Sequence, residues 1–313
     1  MCKKAWRLSR GLSMIKKILL IRNDNIGDLI CSTPAIEALK KRYPEAKIDI
    51  LVNSYNLCAI QGNPFIHRIW SYTKTKHVKG IVAKIKAFFH KGWILYRLKK
   101  ERYDCSVILR IAHSKHAELF SKAAGAPMRI GVSHPQRKDS LTHPLSIQES
   151  LHEVMVCFEC LRPLGVVYGD ERTLWMIEEA QKRRFLEHQN KIILHISSRL
   201  EANRYPLESF RELIALLAPK ECIITASLED KAGALDLASA PNAEFLQTQS
   251  ITELAALISV GSLFITLDGG ALHMGPALGI PTLAIMGKTD PRRWAPWGGG
   301  NLGYHKELSS RDL

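Results

Sequence analysis

The stretch from Phe264 to Pro291, FITLDGGALHMGPALGIPTLAIMGKTDP, constrains this chain more than any other. Leu263 to Leu267 is an apolar, partly β-branched run of strand length. Asp268-Gly269-Gly270 breaks it, and Ala271 to Leu278 is helix-like. Gly279 ends the helix, and Pro281 opens a second apolar run, Thr282 to Met286. A strand feeding a glycine turn and a helix start is where α/β proteins bind phosphates. Small residues let a ligand approach the backbone, and the helix N-terminus offers unpaired N–H groups and partial positive charge. His273 falls on the first turn of that helix. The stretch on its own fits a diphosphate site and a buried βαβ corner equally well.

The rest of the chain sets the context. Its 313 residues suffice for two ordinary domains, and 46% hydrophobic with 24% charged residues is a soluble globular composition. The formal net charge of +14 favours an anionic partner: nucleic acid, anionic lipid or a phosphorylated substrate. Seven scattered cysteines fall far below disulfide-scaffold density and point to a reducing compartment. Cys157 and Cys160 form a lone CxxC without a second pair, which suits burial better than zinc or redox chemistry. No apolar run reaches transmembrane length. Residues 1–14 read as a basic N-terminal extension and not as a secretory signal, because they lack an apolar core.

Lys16 to Arg22, KKILLIR, reads as a buried strand, and Leu29, Ile30, Ile36 and Leu39 mark the helix after it, starting near Asp28 or at Thr33-Pro34. Lys47 to Val52 alternates polar and apolar residues as a second strand, so the chain opens with a βαβ unit and a parallel sheet. The turn RNDNIGD lacks the GxGxxG fingerprint and carries carboxylates that would repel a diphosphate, which suits it to chemistry. Asp28 is either the reactive carboxylate or a helix cap. Further strands are expected at 103–110, 128–132, 191–196, 221–226 and 244–246, and helices at 149–164, 207–217 and 251–260. Residues 292–313 show no clear helix. Domains are expected at 15–172 and 190–313, joined by a linker helix over 173–189.

Lys74 to Arg102 has a different character. Apolar Ile81, Val82, Ile85, Phe88, Phe89, Trp93 and Leu95 are interleaved with lysines and Arg97, and no acidic residue appears before Glu101. This is the pattern of a basic amphipathic helix at a membrane surface, and equally of a packed helix with a solvated lysine face. Gly92 is a candidate break within it. No nucleic-acid recognition motif accompanies the charge.

Three blocks carry a family resemblance. RNDNIGDLICSTPAIEALKKRYP, HISSRLEANRYPLESF and TLDGGALHMGPALGIPTLAIMGKTDP resemble, in order and spacing, glycosyltransferase family nine, the ADP-heptose:lipopolysaccharide heptosyltransferases. The resemblance implies an α/β fold of GT-B type, two Rossmann-like domains with parallel sheets facing a central cleft. It implies an acceptor-binding N-terminal domain and a nucleotide-sugar-binding C-terminal domain. Transfer would be inverting, without metal or other cofactor, from ADP-L-glycero-D-manno-heptose to Kdo or heptose of the inner core on lipid A. The enzyme would sit in the cytoplasm, peripheral on the inner face of the inner membrane, with Lys74–Arg102 as its contact.

By the same resemblance, Asp28 would be the general base and Arg22 would hold it ionised or bind an acidic acceptor group. Ser197 and Ser198 would contact donor phosphates, and Asp268 the sugar hydroxyls. Gly269 and Gly270 would offer N–H groups to the diphosphate, and His273 would stabilise the departing ADP. Glu229 would bond the ribose and Gln249 would lie near the adenine. The chain departs from the family where a lysine usually precedes the aromatic-Pro pair: here the position is Asn203, ahead of Tyr205-Pro206. Arg204, Arg199 or Lys288 would then supply the missing charge. Gly275-Pro276 should shorten or kink the helix after His273. The departures also leave room for another nucleotide sugar and surface glycan, or for a non-catalytic sugar-nucleotide-binding relative.

Overall fold

The computed structural model describes residues 15–305 apart from 75–77, 79, 135 and 137, so the expected extension over 1–14 lies outside the described residues. Tertiary contacts divide the chain between Glu171 and Arg172 into two compact units.

The first unit is built on β1 (Lys17–Ile21), β2 (Lys47–Asn53), β3 (Arg68–Tyr72), β4 (Cys105–Ile108), β5 (Met128–Val132) and β6 (His143–Leu145). Its helices are α1 (Ile26–Arg42), α2 (Ile81–Lys100), α3 (Lys115–Ala124) and α4 (Glu153–Leu161). The strands pair in parallel in the order β3-β2-β1-β4-β5-β6. Helix α1 packs against α4, and α2 against α3. Leu19, Ile21, Leu51, Trp70, Tyr72 and Phe120 meet Ile94 and Leu98 of α2 in one buried cluster.

The second unit contains α5 (Glu179–Arg183), β7 (Ile192–His195), α6 (Leu207–Leu217), β8 (Cys222–Thr225), α7 (Lys231–Leu237) and β9 (Ala243–Phe245). It continues with α8 (Ile251–Ile258), β10 (Leu263–Leu267), α9 (Met274–Ala277), β11 (Thr282–Met286), α10 (Pro291–Trp294) and β12 (Leu302–His305). The order β12-β11-β10-β7-β8-β9, again all parallel, repeats the topology of the first unit. In both, the first strand lies between the second and the fourth. The connections reverse direction there, and the crevice at those strands' carboxyl ends is where open α/β sheets bind ligands.

Several elements differ from the sequence reading. Helix α1 starts at Ile26 and accommodates Pro34, and α2 runs unbroken through Gly92. The long helix expected over 149–164 is α4 followed by a 3-10 turn at Arg162–Leu164. The connecting helix is split into α5 and a 3-10 turn at Leu186–His188. Both belong to the second unit, to which Trp175 N–H is also tied by the Ala277 carbonyl at 3.0 Å. β3 and β12 had no counterpart in the sequence reading, and β6 falls where a loop was expected; short edge strands carry little periodic signal. Strand β2 is not half-solvated as its alternation suggests. Asp49 is fully buried, accepting from Tyr103 Oη at 2.6 Å and facing His67 Nδ1 at 2.9 Å.

The segment after β10 is short, as Gly275-Pro276 requires: a 3-10 turn, Gly270–His273, runs into the four-residue α9. Gly275 lets this turn lie on the sheet. A Cβ there would stand 2.0 Å from Thr282 Oγ1 and 3.0 Å from Phe264 Cδ1. Gly275→Ala should therefore cost about 1–3 kcal/mol, read in urea denaturation as a lower midpoint at unchanged slope.

Candidate active site

In the first unit the carboxyl ends of β1 and β4 converge on one buried cation. Arg22 follows β1 directly and is 0% exposed. Its Nη1 donates to the Leu109 carbonyl just beyond β4. Its Nη2 donates to Asp28 Oδ1 at 2.9 Å and to Glu153 Oε1 at 2.7 Å. Its Nε lies 3.0 Å from Asp24 Oδ1. Burial opposes the guanidinium charge, but Asp24, Asp28 and Glu153 more than offset this and push its pKa up. Arg22 is thus placed to hold Asp28, and its burial does not suit it to meeting an acceptor. Asp28 lies in the first turn of α1, whose cap is Asn25, so it is not the helix cap. Asn25 Nδ2 donates to its second oxygen at 2.9 Å.

The turn from Arg22 to Asn25 is held by side chains from the end of β2. Asn53 Nδ2 donates to the carbonyls of Asn23 and Asp24 at 2.8 and 3.0 Å. Asn56 Nδ2 reaches the Arg22 and Asn25 carbonyls at 3.2 and 3.4 Å. Asn23 in turn donates to Tyr72 Oη at 2.8 Å, and burial pushes the Tyr72 phenol up to about 12. These contacts tie the loop's carbonyls to the end of β2 and the residues after it.

In the second unit the loops after β7, β10 and β11 are tied together. Ser198 Oγ donates to the Asp268 carbonyl at 2.9 Å, linking the ends of the two central strands. Ser197 Oγ accepts from Ser227 N–H at 2.7 Å. Asn203 is buried; its Oδ1 accepts from Lys288 N–H at 3.1 Å, and its Nδ2 lies 3.5 Å from the Asp268 carbonyl. Gly287 packs so closely on Asn203 that a Cβ would lie 2.3 Å from Asn203 Oδ1. Asn203 is therefore a latch between loops. Arg204 Nη1 is 3.3 Å from Asp230 Oδ1 and its Nη2 is 3.9 Å from Glu229 Oε2. Lys288 is exposed, and no ion pair engages its ammonium among the described residues.

Asp268 and His273 are buried, and Asp268 Oδ2 has no hydrogen-bond partner among the described residues. The His273 ring meets Trp294 edge-on at 6.1 Å between centroids. Gly269 is extended, at φ 166°, so the turn does not demand glycine there. A Cβ on it would meet no atom within 4 Å, which leaves its backbone open to approach. The helix expected to start there is too short to carry the dipole of a long helix, so the exposed N–H groups are what the turn offers an anion. Gln249 is exposed in the loop before α8, its N–H donating to Glu253 Oε2 at 2.7 Å. No group of three or more metal-ligating side chains occurs among the described residues.

Sequence reasoning missed Glu153, Asn53, Asn56 and the part Asp24 plays in the Arg22 cluster. Only Asp24 left a signal, as the second carboxylate of RNDNIGD. Burial pushes Asp24 up to about 6; Arg22 pulls it down and Asp28 pushes it further up. A carboxylate whose folded-state pKa lies above its unfolded value of 3.8 costs stability when ionised. That cost is full above about pH 6 and fades as pH falls towards 3.8. Asp24→Asn should therefore gain stability over the parent between pH 4 and pH 8, by about 3 kcal/mol at most, measured by urea denaturation at both pH values.

Residues 94–306 match the sequence profile of glycosyltransferase family 9 (heptosyltransferase). Lipopolysaccharide heptosyltransferase 3 of Escherichia coli is 28% identical over 313 aligned residues, covering 91% of this chain and 89% of the relative. Among solved structures, the family 9 glycosyl transferase of Veillonella parvula superposes with a TM-score of 0.79 at 19% identity, over 93% of this chain and 86% of that one. Heptosyltransferase WaaC of E. coli, solved with ADP, gives 0.74 at 19% identity, over 92% and 93%. The two parallel sheets are those of a GT-B fold, and the chain belongs to glycosyltransferase family 9, the heptosyltransferases.

Proposed function

We propose that this chain transfers heptose from ADP-L-glycero-D-manno-heptose to the Kdo or heptose of the lipopolysaccharide inner core, with inversion and without a metal. The observation that carries this reading is the Arg22–Asp28 pair at the carboxyl end of β1. The first unit would take the acceptor and supply the base. Asp28 accepts the proton of the acceptor hydroxyl as its oxygen bonds to the anomeric carbon. The bond from that carbon to the diphosphate breaks on the opposite face, and ADP leaves with its added charge.

The second unit would hold the donor. Asp268 Oδ2, buried without a partner among the described residues, suits a sugar hydroxyl. The N–H groups of Gly269 and Gly270, with His273 and Lys288, suit the departing diphosphate. By this reading Ser197 and Ser198 contact the donor phosphates with Arg204 near by, Glu229 bonds the ribose and Gln249 lies near the adenine. The relative solved with ADP supports a nucleoside diphosphate as the leaving group.

Helix α2 supports a membrane-surface partner. Several of its apolar residues are not packed inwards: Ile81 is 72% exposed, Val82 63%, Phe88 67% and Phe89 69%. Only Ala87, Ile94 and Leu98 of α2 are buried. Exposed aromatics among lysines fit an anionic lipid surface, where rings enter the headgroup boundary and ammonium groups stay in water. No helix among the described residues is long and apolar enough to cross a membrane. The enzyme is thereby read as peripheral on the cytoplasmic face, where its lipid-linked acceptor would be presented.

Asp28→Ala should cut turnover by about 10²–10⁴-fold while calorimetry still detects the donor; unchanged turnover would remove Asp28 as the base. In the same calorimeter, ADP-heptose should bind more tightly than UDP- and GDP-sugars. Tighter binding of another nucleotide sugar would reassign the donor, and binding of none would favour a non-catalytic relative. Phe88→Ser with Phe89→Ser should reduce sedimentation with phosphatidylglycerol-containing vesicles; equal sedimentation would make α2 an ordinary solvated helix.

A further inference from the structure

Glu153 is a member of the Arg22 cluster that no step above uses. It opens α4, is 1% exposed and lies 131 residues from Arg22 in sequence. One nitrogen, Arg22 Nη2, serves both Glu153 Oε1 and Asp28 Oδ1. Other groups border this cluster. Asp24 Oδ1 lies 3.0 Å from Arg22 Nε as an ion pair, and Arg110 Nη1 lies 3.9 Å from Asp24 Oδ2. Asn25 donates to Asp28. Cys31 on α1 and Cys157 and Cys160 on α4 are pushed up by burial and stay neutral. One fully buried cation therefore faces Asp24, Asp28 and Glu153, and Arg110 stands beside Asp24.

This arrangement resolves a conflict in using an arginine to hold a base. An arginine in contact favours the ionised carboxylate, which keeps it ready but weakens its pull on a proton. A second carboxylate on the same nitrogen offsets part of that charge. We propose that Glu153 is a positioning residue: it fixes Arg22 and balances its charge, so that Arg22 aligns Asp28 without suppressing its basicity. The inference rests on Asp28 acting as the base.

Glu153→Gln keeps an oxygen for Arg22 Nη2 and removes only the charge. The acid limb of kcat/KM should move to lower pH by about one unit, and the kcat plateau should fall by about threefold to tenfold, with donor KM unchanged. The midpoint of the limb does not depend on how much of the variant is folded, so partial misfolding leaves the readout intact. The pair of profiles is recorded in an Asp24→Asn background, so that Asp24, which burial pushes up to about 6, does not contribute to the limb. A limb that stays in place or moves up would make Glu153 a packing residue and overturn the inference. Asp28→Ala separates the two levels. If it stays active, the base assignment fails. If it is inactive while the Glu153→Gln limb does not move, only the role of Glu153 fails.

Discussion

A single guanidinium organises the first unit. Arg22 emerges from the central strand β1 at the point where the sheet's connections reverse, fully buried. An isolated charge there would be prohibitive, so burial is possible only because carboxylates from the β1–α1 turn, α1 and α4, together with a carbonyl beyond β4, converge on it. The consequence is mutual dependence. Removing the cation from such a buried cluster costs about 3–5 kcal/mol by leaving its carboxylates uncompensated. The turn, the start of α1 and the start of α4 are thereby locked in one arrangement, and Asp28 inherits its orientation from it.

The second unit reaches a similar end by neutral means. Ser198 and Asn203 stitch the loops after β7, β10 and β11 through carbonyl and N–H groups and leave the Gly269 backbone open. Asn203, an amide pinned between loops, cannot act as a phosphate cation. Lys288, whose N–H that amide positions, and Arg199, which follows Ser198, are exposed cations in these loops. Arg204 is engaged with acidic neighbours and is less available for the role.

The large elements were legible in the sequence because they are periodic. KKILLIR, KIILHI and FITL are buried parallel strands, and such strands read as continuous apolar runs. The glycine-punctuated return from β10 to β11 was legible for the same reason. The short edge strands β6 and β12 were not, since a few half-exposed residues carry no periodicity. For the candidate site, the residues adjacent to strand ends were legible: Arg22, Asp28, Ser198, Asp268 and His273 all lie within a few positions of β1, β7 or β10. Glu153 was not, because no local pattern marks a partner that only folding brings near.

The sequence by itself determined the two α/β units, the strand-turn-helix blocks at their centres and the family to which those blocks belong. Strand formation and turn chemistry are local, and their residues are contiguous. Tertiary structure decided which charges share Arg22, that Asn203 is a latch, and that the aromatics of α2 face outwards. Those outcomes depend on burial and on distances between residues remote in the chain, and neither is a property of a residue or its neighbours in sequence.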